Sequence, residues 1–561
     1  MDKIKWWQKT NVYQVYPKSF LDTTGSGTGD LNGVAEKLDY LKTLGTGAIW
    51  LTPVYPSPMV DNGYDISDFT GIDPSYGTME DMERLIEEAK RRDIKIVMDL
   101  VYNHSSDKHP WFIDSASSRD SEHSDWYIWR DARPDGSAPT NWRSIFGGSA
   151  WTWCEARQQY YLHTFAEAQP DLNWENPRVR EALYEAANFW LDKGVGGFRI
   201  DAIVYIKKPE EFVDGEPDSE DGMVNIHTMI AGTPGILDFL HEFKEKVFAG
   251  HDIFTVAEAN GVEPKDLPHW VGEKGVFDML FEFSHMTLEF PNGELWGQAT
   301  GYTPAVISGL KKVLAASQKA TAENGWYPIF FENHDQMRCV RHYFPDDAPK
   351  VPAAKAMASI LLTLRGTPFV YEGQELGFGN VAWDSIEAYN DISSKGQYEL
   401  ALEEGKTAAE AMRIVHRYSR DNARTPMQWT RGRNAGFSAG TPWLPVHEDF
   451  ASECVETEAK DEESVLSFYR HLAALRQHGE AADVLQQGVY EEVLAESPAI
   501  LAFKRIYGRR EVCTLVNFTG EVQSYALPEL AEASLLVGSM KDSVKGILRP
   551  FEAQIYMRET R

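Results

Sequence analysis

A chain of 561 residues suits one large domain with one or two smaller ones, and a net charge of −30 (85 acidic against 55 basic residues) disfavours nucleic acid, an anionic membrane or a polyanionic substrate as partner. Cys154, Cys339, Cys454 and Cys513 lie far apart with no CxxC pair, which argues against a zinc site and a disulfide framework. Residues 1–8 lack the apolar run of a signal peptide, and no stretch reaches the ~18 apolar residues of a membrane span, so a cytoplasmic enzyme is expected.

Short apolar, β-rich runs alternate with helical patterns over the first 470 or so residues. The strands are expected at 12–16, 48–51, 95–101, 197–201, 253–258, 276–281, 328–332 and 368–371. A helix is expected over 78–92, where Met79, Met82, Leu85, Ile86 and Ala89 recur at helical spacing. Eight such strands separated by helices predict an α/β fold, a parallel (β/α)₈ TIM barrel. An open doubly wound sheet is disfavoured because no glycine-rich dinucleotide turn follows the first strand.

The barrel is expected from 1–103 and 179–478, with 104–178 an inserted subdomain rich in Trp, Asp, Ser and Gly, and a further insertion at about 377–445 after the eighth strand. Beyond a helix near 464–477, alternating runs at 489–493, 499–505, 511–518, 534–537 and 554–557 predict a C-terminal antiparallel β domain over 479–561.

Barrel chemistry sits where strands end at their carboxyl face. Those ends carry Asp99, Asn103 and His104 in DLVYNH, Arg199 and Asp201 in GFRIDA, Glu258 in FTVAEA, and His334 and Asp335 in FENHD. One charged strand end is often a helix cap, but four, on the third, fourth, fifth and seventh barrel strands, point to a site. Cleavage of an acetal through an oxocarbenium-like state with retention needs an ionised and a protonated carboxyl about 5–5.5 Å apart. Arg199, two residues before Asp201 and on the same strand face, is expected to keep Asp201 ionised. The apolar run Phe254, Val256, Ala257 before Glu258 is expected to favour its protonated form.

These four segments resemble, in order and spacing, the signature regions of the α-amylase superfamily of glycoside hydrolases. Gln169–Asn176 (QPDLNWEN) resembles a fifth region as it stands in the oligo-1,6-glucosidase and α-glucosidase group, and WWQKTNVYQVYPKSF, DNGYDI and RDNARTPMQW extend the likeness over nearly the whole chain. The resemblance implies Asp201 as nucleophile, Glu258 as acid/base, and Asp335 as a third carboxylate holding the sugar hydroxyls. It implies that His104 and His334 bond the sugar, that Tyr64 is a stacking platform with Phe165 beside it, and that Asp61 and Arg420 grip the non-reducing-end 4-hydroxyl. That last pair would close the pocket and make the enzyme clip single glucose units from chain ends. In this group Ala rather than Val after the nucleophile goes with tolerance of α-1,4 as well as α-1,6 links, so Ala202 implies mixed linkage; Asn260 is expected on the leaving-group side.

No cofactor is required for this chemistry. The resemblance implies a cation loop at Asp22, Thr24, Ser26, Thr28 and Asp30, but Thr24 and Ser26 replace better donors, and the sequence leaves a structural Ca²⁺ or Mg²⁺ and an ion-free loop both open. The expected partner is a small neutral oligosaccharide, with the protein a monomer or weak homo-oligomer. Two other activities compete. Trehalose-6-phosphate hydrolysis would need a cationic pocket, which Lys207 and Lys208, read as exposed, could supply. Sucrose hydrolysis or isomerisation would draw on Arg338 and Arg341. A non-catalytic subunit is disfavoured because the carboxylates are intact.

Overall fold

The computed structural model describes residues 4–219, 221–290 and 296–560. The chain divides into two compact units, one comprising 1–49, 87–95 and 284–561 and the other 50–86 and 96–283. Among the described residues no helix is long and apolar enough to cross a membrane.

Eight strands form the largest sheet: β1 (Asn11–Val15), β2 (Thr46–Leu51), β3 (Lys95–Val101), β4 (Gly197–Asp201), β5 (Phe254–Glu258), β6 (Met279–Phe281), β7 (Pro328–Ile329) and β8 (Thr367–Tyr371). Their order is β6-β5-β4-β3-β2-β1-β8-β7. The first strand lies beside the eighth, in parallel, with Val12 opposite Phe369. That is the cyclic order of a near-closed (β/α)₈ barrel, with β6 and β7 at the two ends of the ladder. β1, β4 and β8 are buried along their whole length, as strands covered on both faces must be.

Two strands are shorter than expected, for local reasons. At β7 the strand stops at Ile329 because the Phe330 carbonyl is taken by His285 Nε2 at 2.9 Å rather than by a neighbouring strand. Before β6, Val276 and Phe277 both donate their backbone N–H to the Trp270 carbonyl, at 2.9 Å each, closing a turn. The expected helix over 78–92 is present as Met79–Lys90, with Met82, Leu85 and Ala89 fully buried.

In the unit of 50–86 and 96–283, β3, β4 and β5 run side by side. Asp99 is opposite Arg199 and Val101 opposite Asp201; Arg199 is opposite Val256 and Ile200 opposite Ala257. The close β4–β5 approach requires glycine at 197: a Cβ there would sit 2.1 Å from the Phe254 carbonyl oxygen. Between β3 and β4 the chain builds a small antiparallel sheet from Trp129–Arg130, Gln159–Leu162 and Trp151–Cys154. The helix Pro177–Asp192 then starts on an N-cap, Asn176 Oδ1 accepting from Arg178 N at 2.9 Å, with proline at its first position.

In the other unit, helices Ile392–Glu403, Ala408–Tyr418 and Asp421–Arg424 fill the segment after β8. The chain ends in an antiparallel sheet of β9 (Val489–Val493), β10 (Ile500–Tyr507), β11 (Arg510–Asn517), β12 (Ser534–Gly538) and β13 (Ala553–Glu559), ordered β9-β10-β11-β13-β12. Its buried Arg505 donates to the Thr363 carbonyl at 2.9 Å, tying β10 to the helix Lys350–Thr363.

In the segments just after β7 and β8 lie Glu332, Glu372 and Glu375, all at most 2% exposed. Burial pushes the Glu332 carboxyl up to about 7, against the pull of Arg338, whose Nη1 lies 3.6 Å away. The folded state therefore holds a proton that the unfolded chain releases near 4.5, so this contribution is complete below about 4.5 and is lost as pH rises to about 7. Over that span the wild type should lose about 3 kcal/mol of unfolding free energy at this one group. Glu332→Gln, neutral throughout, should flatten that part of the curve in denaturant titrations; a parallel curve would remove Glu332 as its source.

Candidate active site

In the unit of 50–86 and 96–283, the functional groups gather at the carboxyl ends of β3, β4 and β5. Arg199, 1% exposed, is their hub. Its Nη1 donates to Asp99 Oδ1 at 2.7 Å and Oδ2 at 2.9 Å, and to Asp201 Oδ1 at 2.6 Å, while its Nη2 contacts Glu258 Oε2. One guanidinium thus serves three carboxylates. The contact with Asp201 follows the strand-face expectation. The contact with Glu258 qualifies the other expectation: the apolar strand is not alone at this carboxyl, because a cation also touches it, and Glu258 is half-buried rather than sealed. Burial raises the proton affinity of Asp99, and Arg199 opposes this.

Tyr64 packs over this hub, its hydroxyl donating to Asp99 Oδ2 at 3.0 Å with the Arg199 guanidinium 5.9 Å from its ring. His104 is buried, its Nε2 3.2 Å from the Tyr64 carbonyl and 3.2 Å from Gln169 Nε2. Burial lowers its pKa, outweighing the nearby Asp201 and Asp171, so it stands as a neutral hydrogen-bonding imidazole. The Phe165 ring lies 5.2 Å from His104, and Gln169 also donates to Asp61 Oδ2 at 3.2 Å. Asp61, Tyr64, His104, Phe165, Arg199, Asp201 and Glu258 are therefore one cluster. Asn260 sits two residues beyond Glu258 in a turn completed by Gly261, whose φ is +86°.

Ala202 holds a left-handed backbone, φ 45° and ψ 34°, immediately after Asp201. That conformation costs roughly 1–2 kcal/mol for an L-residue, and a β-branched side chain fares worse than alanine. The strained turn ends β4 at Asp201.

In the other unit, Asp335 is held between cations. Arg420 Nη1 lies 3.1 Å and Arg424 Nη2 2.7 Å from its Oδ1, and His334 Nε2 lies 3.2 Å from its Oδ2. His334 is buried, with Gln14 Nε2 on its Nδ1 at 2.8 Å and the Tyr16 ring stacked 6.0 Å away. His334, Asp335 and Arg420 are thus together in this unit.

Several residues of these clusters were not singled out by the motifs. Gln14, Gln169, Arg424 and Asp391, whose Oδ1 accepts from Arg420 Nε at 2.8 Å, are among them; Gln14, Gln169 and Arg424 lie inside quoted segments, whereas nothing local marks Asp391. The two lysines after β4 correct the expectation that both are exposed. Lys208 is 6% exposed and donates to Asp171 Oδ2 at 2.8 Å and Asn103 Oδ1 at 3.0 Å; burial lowers its pKa and Asp171 opposes this. Lys207 pairs with Glu175 at 2.5 Å. Arg338 is fully buried and donates to the Glu372 carbonyl at 2.7 Å, and Arg341 to that of Asp346 at 2.9 Å.

At the loop of Asp22–Asp30, Asp22 Oδ1 accepts from Thr24 N (2.9 Å), Thr24 Oγ1 (3.0 Å), Gly25 N (2.8 Å) and Ser26 N (3.3 Å), and Oδ2 from Gly27 N (2.7 Å) and Ser438 Oγ (2.5 Å). Burial raises the Asp22 pKa, but those bonds outweigh it and the net shift is downward. Asp30 accepts from Thr23 N at 2.7 Å and Gly33 N at 2.8 Å, and Ser26 Oγ donates to the Thr28 carbonyl at 3.1 Å. These oxygens thus receive the loop's own N–H and O–H groups.

Similarity to known proteins runs over the whole chain. A profile described as the catalytic domain of alpha amylase matches residues 14–488. The chain is 42% identical over 562 residues to an oligo-1,6-glucosidase of Parageobacillus thermoglucosidasius, covering 98% of each. It superposes on the crystal structure of a trehalose-6-phosphate hydrolase of Bacillus licheniformis with a TM-score of 0.90 at 40% identity, covering 99% of this chain and 100% of that one. On the isomaltulose synthase of Protaminobacter rubrum the TM-score is 0.92 at 37% identity, covering 99% of each.

Proposed function

The chain belongs to the α-amylase family of glycoside hydrolases, and from that premise we propose that it is a retaining, exo-acting α-glucosidase. It removes terminal α-1,4- and α-1,6-linked glucose from short oligosaccharides, in the cytoplasm, as a monomer or weak homo-oligomer. The observation that carries this reading is the pair of carboxylates ending adjacent strands β4 and β5, Asp201 and Glu258, both touching Arg199.

Asp201, ionised beside Arg199, attacks the anomeric carbon while Glu258 gives its proton to the departing glycosidic oxygen. Glu258 then takes a proton from water, which opens the glucosyl ester at Asp201 with net retention. As His104 is neutral, it can bond a sugar hydroxyl without competing with Glu258 for the reaction's proton. The family resemblance assigns the ring hydroxyls to Asp335, the aromatic faces to Tyr64 and Phe165, and recognition of the chain end to Asp61 and to Arg420.

The rival activities find less support. A phosphate needs free cations, and Lys208 is committed to Asp171 while Lys207 pairs with Glu175. Arg338 and Arg341 are spent on backbone carbonyls. Kinetics on isomaltose, maltose, sucrose and trehalose 6-phosphate test the reading: the first two should be the best substrates, and a preference for the phosphorylated one would overturn it. In the same assay Ala202→Val should lower the α-1,4 to α-1,6 ratio; an unchanged ratio would refute the steric account of linkage choice.

We also propose that the Asp22–Asp30 loop is closed by its own hydrogen bonds. The melting temperature should then be the same in EDTA and in millimolar Ca²⁺ or Mg²⁺; a rise of several degrees with either ion would reinstate a cation there.

A further inference from the structure

The two arginines on Asp335 also face a second carboxylate, Asp391, a residue with no part so far in the chemistry. Asp391 is fully buried at the N-cap of the helix Ile392–Glu403. Its Oδ1 receives Arg420 Nε at 2.8 Å, Arg420 Nη2 at 2.6 Å and Ser393 N at 3.1 Å; its Oδ2 receives Ser394 N at 3.0 Å and Ser394 Oγ at 2.6 Å. Arg424 Nη1 stands 4.0 Å from the same Oδ1. Arg420 is thus a bridge: Nε and Nη2 face Asp391, and Nη1 rests on Asp335. Two cations, Arg420 and Arg424, face two anions, Asp335 and Asp391. Nearby, Asp421 Oδ2 accepts the backbone N–H groups of Asn390 and Asp391 at 2.7 and 3.0 Å; burial and Asp391 raise its proton affinity, and Arg424 opposes this.

Resting on the reading of Asp335 and Arg420 as sugar-binding groups, we propose that Asp391 is a positioning residue for both. It holds Nε and Nη2 of the Arg420 fork, which fixes the guanidinium so that Nη1 meets Asp335 edge-on and orients that carboxylate for sugar hydroxyls. Without Asp391 the guanidinium can turn its whole fork onto Asp335, the nearest remaining anion, and compete with substrate for it.

Asp391 also caps a helix, and a role confined to capping must be separated from this one. Asparagine caps a helix as well as aspartate but lacks the charge; glutamate keeps the charge and is a poor cap. Asp391→Asn, assayed well below its melting temperature, should lose about 10–100-fold in kcat/KM. Asp391→Glu should recover most of it. In an Arg420→Met background Asp391→Asn should change kcat/KM less than about twofold, because its effect passes through the missing guanidinium. Wild-type kinetics for Asp391→Asn, a weaker Glu than Asn variant, or an undiminished Asn penalty in the Arg420→Met background would each overturn the proposal. Wild-type kinetics for Arg420→Met alone would instead remove the site reading on which it rests.

Discussion

Asp201→Asn should fold, bind oligosaccharide and release glucose about 10⁴-fold more slowly than the wild type. The amide has the size and planarity of the carboxylate, so β4 and its left-handed turn at Ala202 are undisturbed. It has no negative charge to steady the developing oxocarbenium and cannot form a glycosyl ester that water would open. Nearly all the loss should therefore appear in kcat, with KM little changed, in glucose release from isomaltose. Full hydrolysis by this variant would overturn the enzyme assignment; an unaltered melting curve would confirm that any loss is chemical.

Removing the cation should be damaging in a different way. Arg199→Met leaves Asp99, Asp201 and Glu258 without their shared partner, and Asp99 is fully buried. Breaking a buried ion pair from one side costs about 3–5 kcal/mol, because the remaining charge has neither water nor counter-ion. Stability near pH 7 should fall by that order and recover partly at acid pH, as the orphaned carboxyls take up protons instead. Activity should fall most at acid and neutral pH, and what remains should shift to higher pH, since Asp201 has lost the charge that favours its ionised form. Denaturant unfolding at pH 5 and 8 with parallel activity assays would decide it: a variant as stable as the wild type at pH 8 would show that Arg199 is not the counter-ion of this cluster.

Much of the fold and of the chemistry was legible because both lie in short apolar strands that end in charged residues. DLVYNH, GFRIDA and FTVAEA each encode a strand and the group at its end, and parallel neighbours then align Asp99 with Arg199 by register alone. What stayed hidden depends on contacts between distant segments. Gln14 on His334 and Asp391 on Arg420 join residues far apart in sequence, and no local pattern announces them. Lys207 and Lys208 look equivalent in the chain, yet one pairs at the rim with Glu175 and the other is sunk against Asp171 and Asn103. The Asp22–Asp30 loop shows the same limit: residue types suggest an ion, and the hydrogen bonds that its carboxylates accept from the loop itself are not legible in those types. Strand length failed likewise at β7, where a histidine from another segment takes the carbonyl that the next rung would have used.

The left-handed turn at Ala202 ties two properties that a selection experiment would wish to vary separately. On the proposed reading, a bulkier side chain there both narrows the space beside the scissile bond and forces a larger residue into a torsional basin that tolerates small ones best. Changes of linkage preference at this position should therefore trade against thermal robustness, and the route to them runs through earlier stabilising substitutions elsewhere. A library at position 202 built on the natural background would under-report the β-branched variants, losing them to poor folding before their selectivity could be scored.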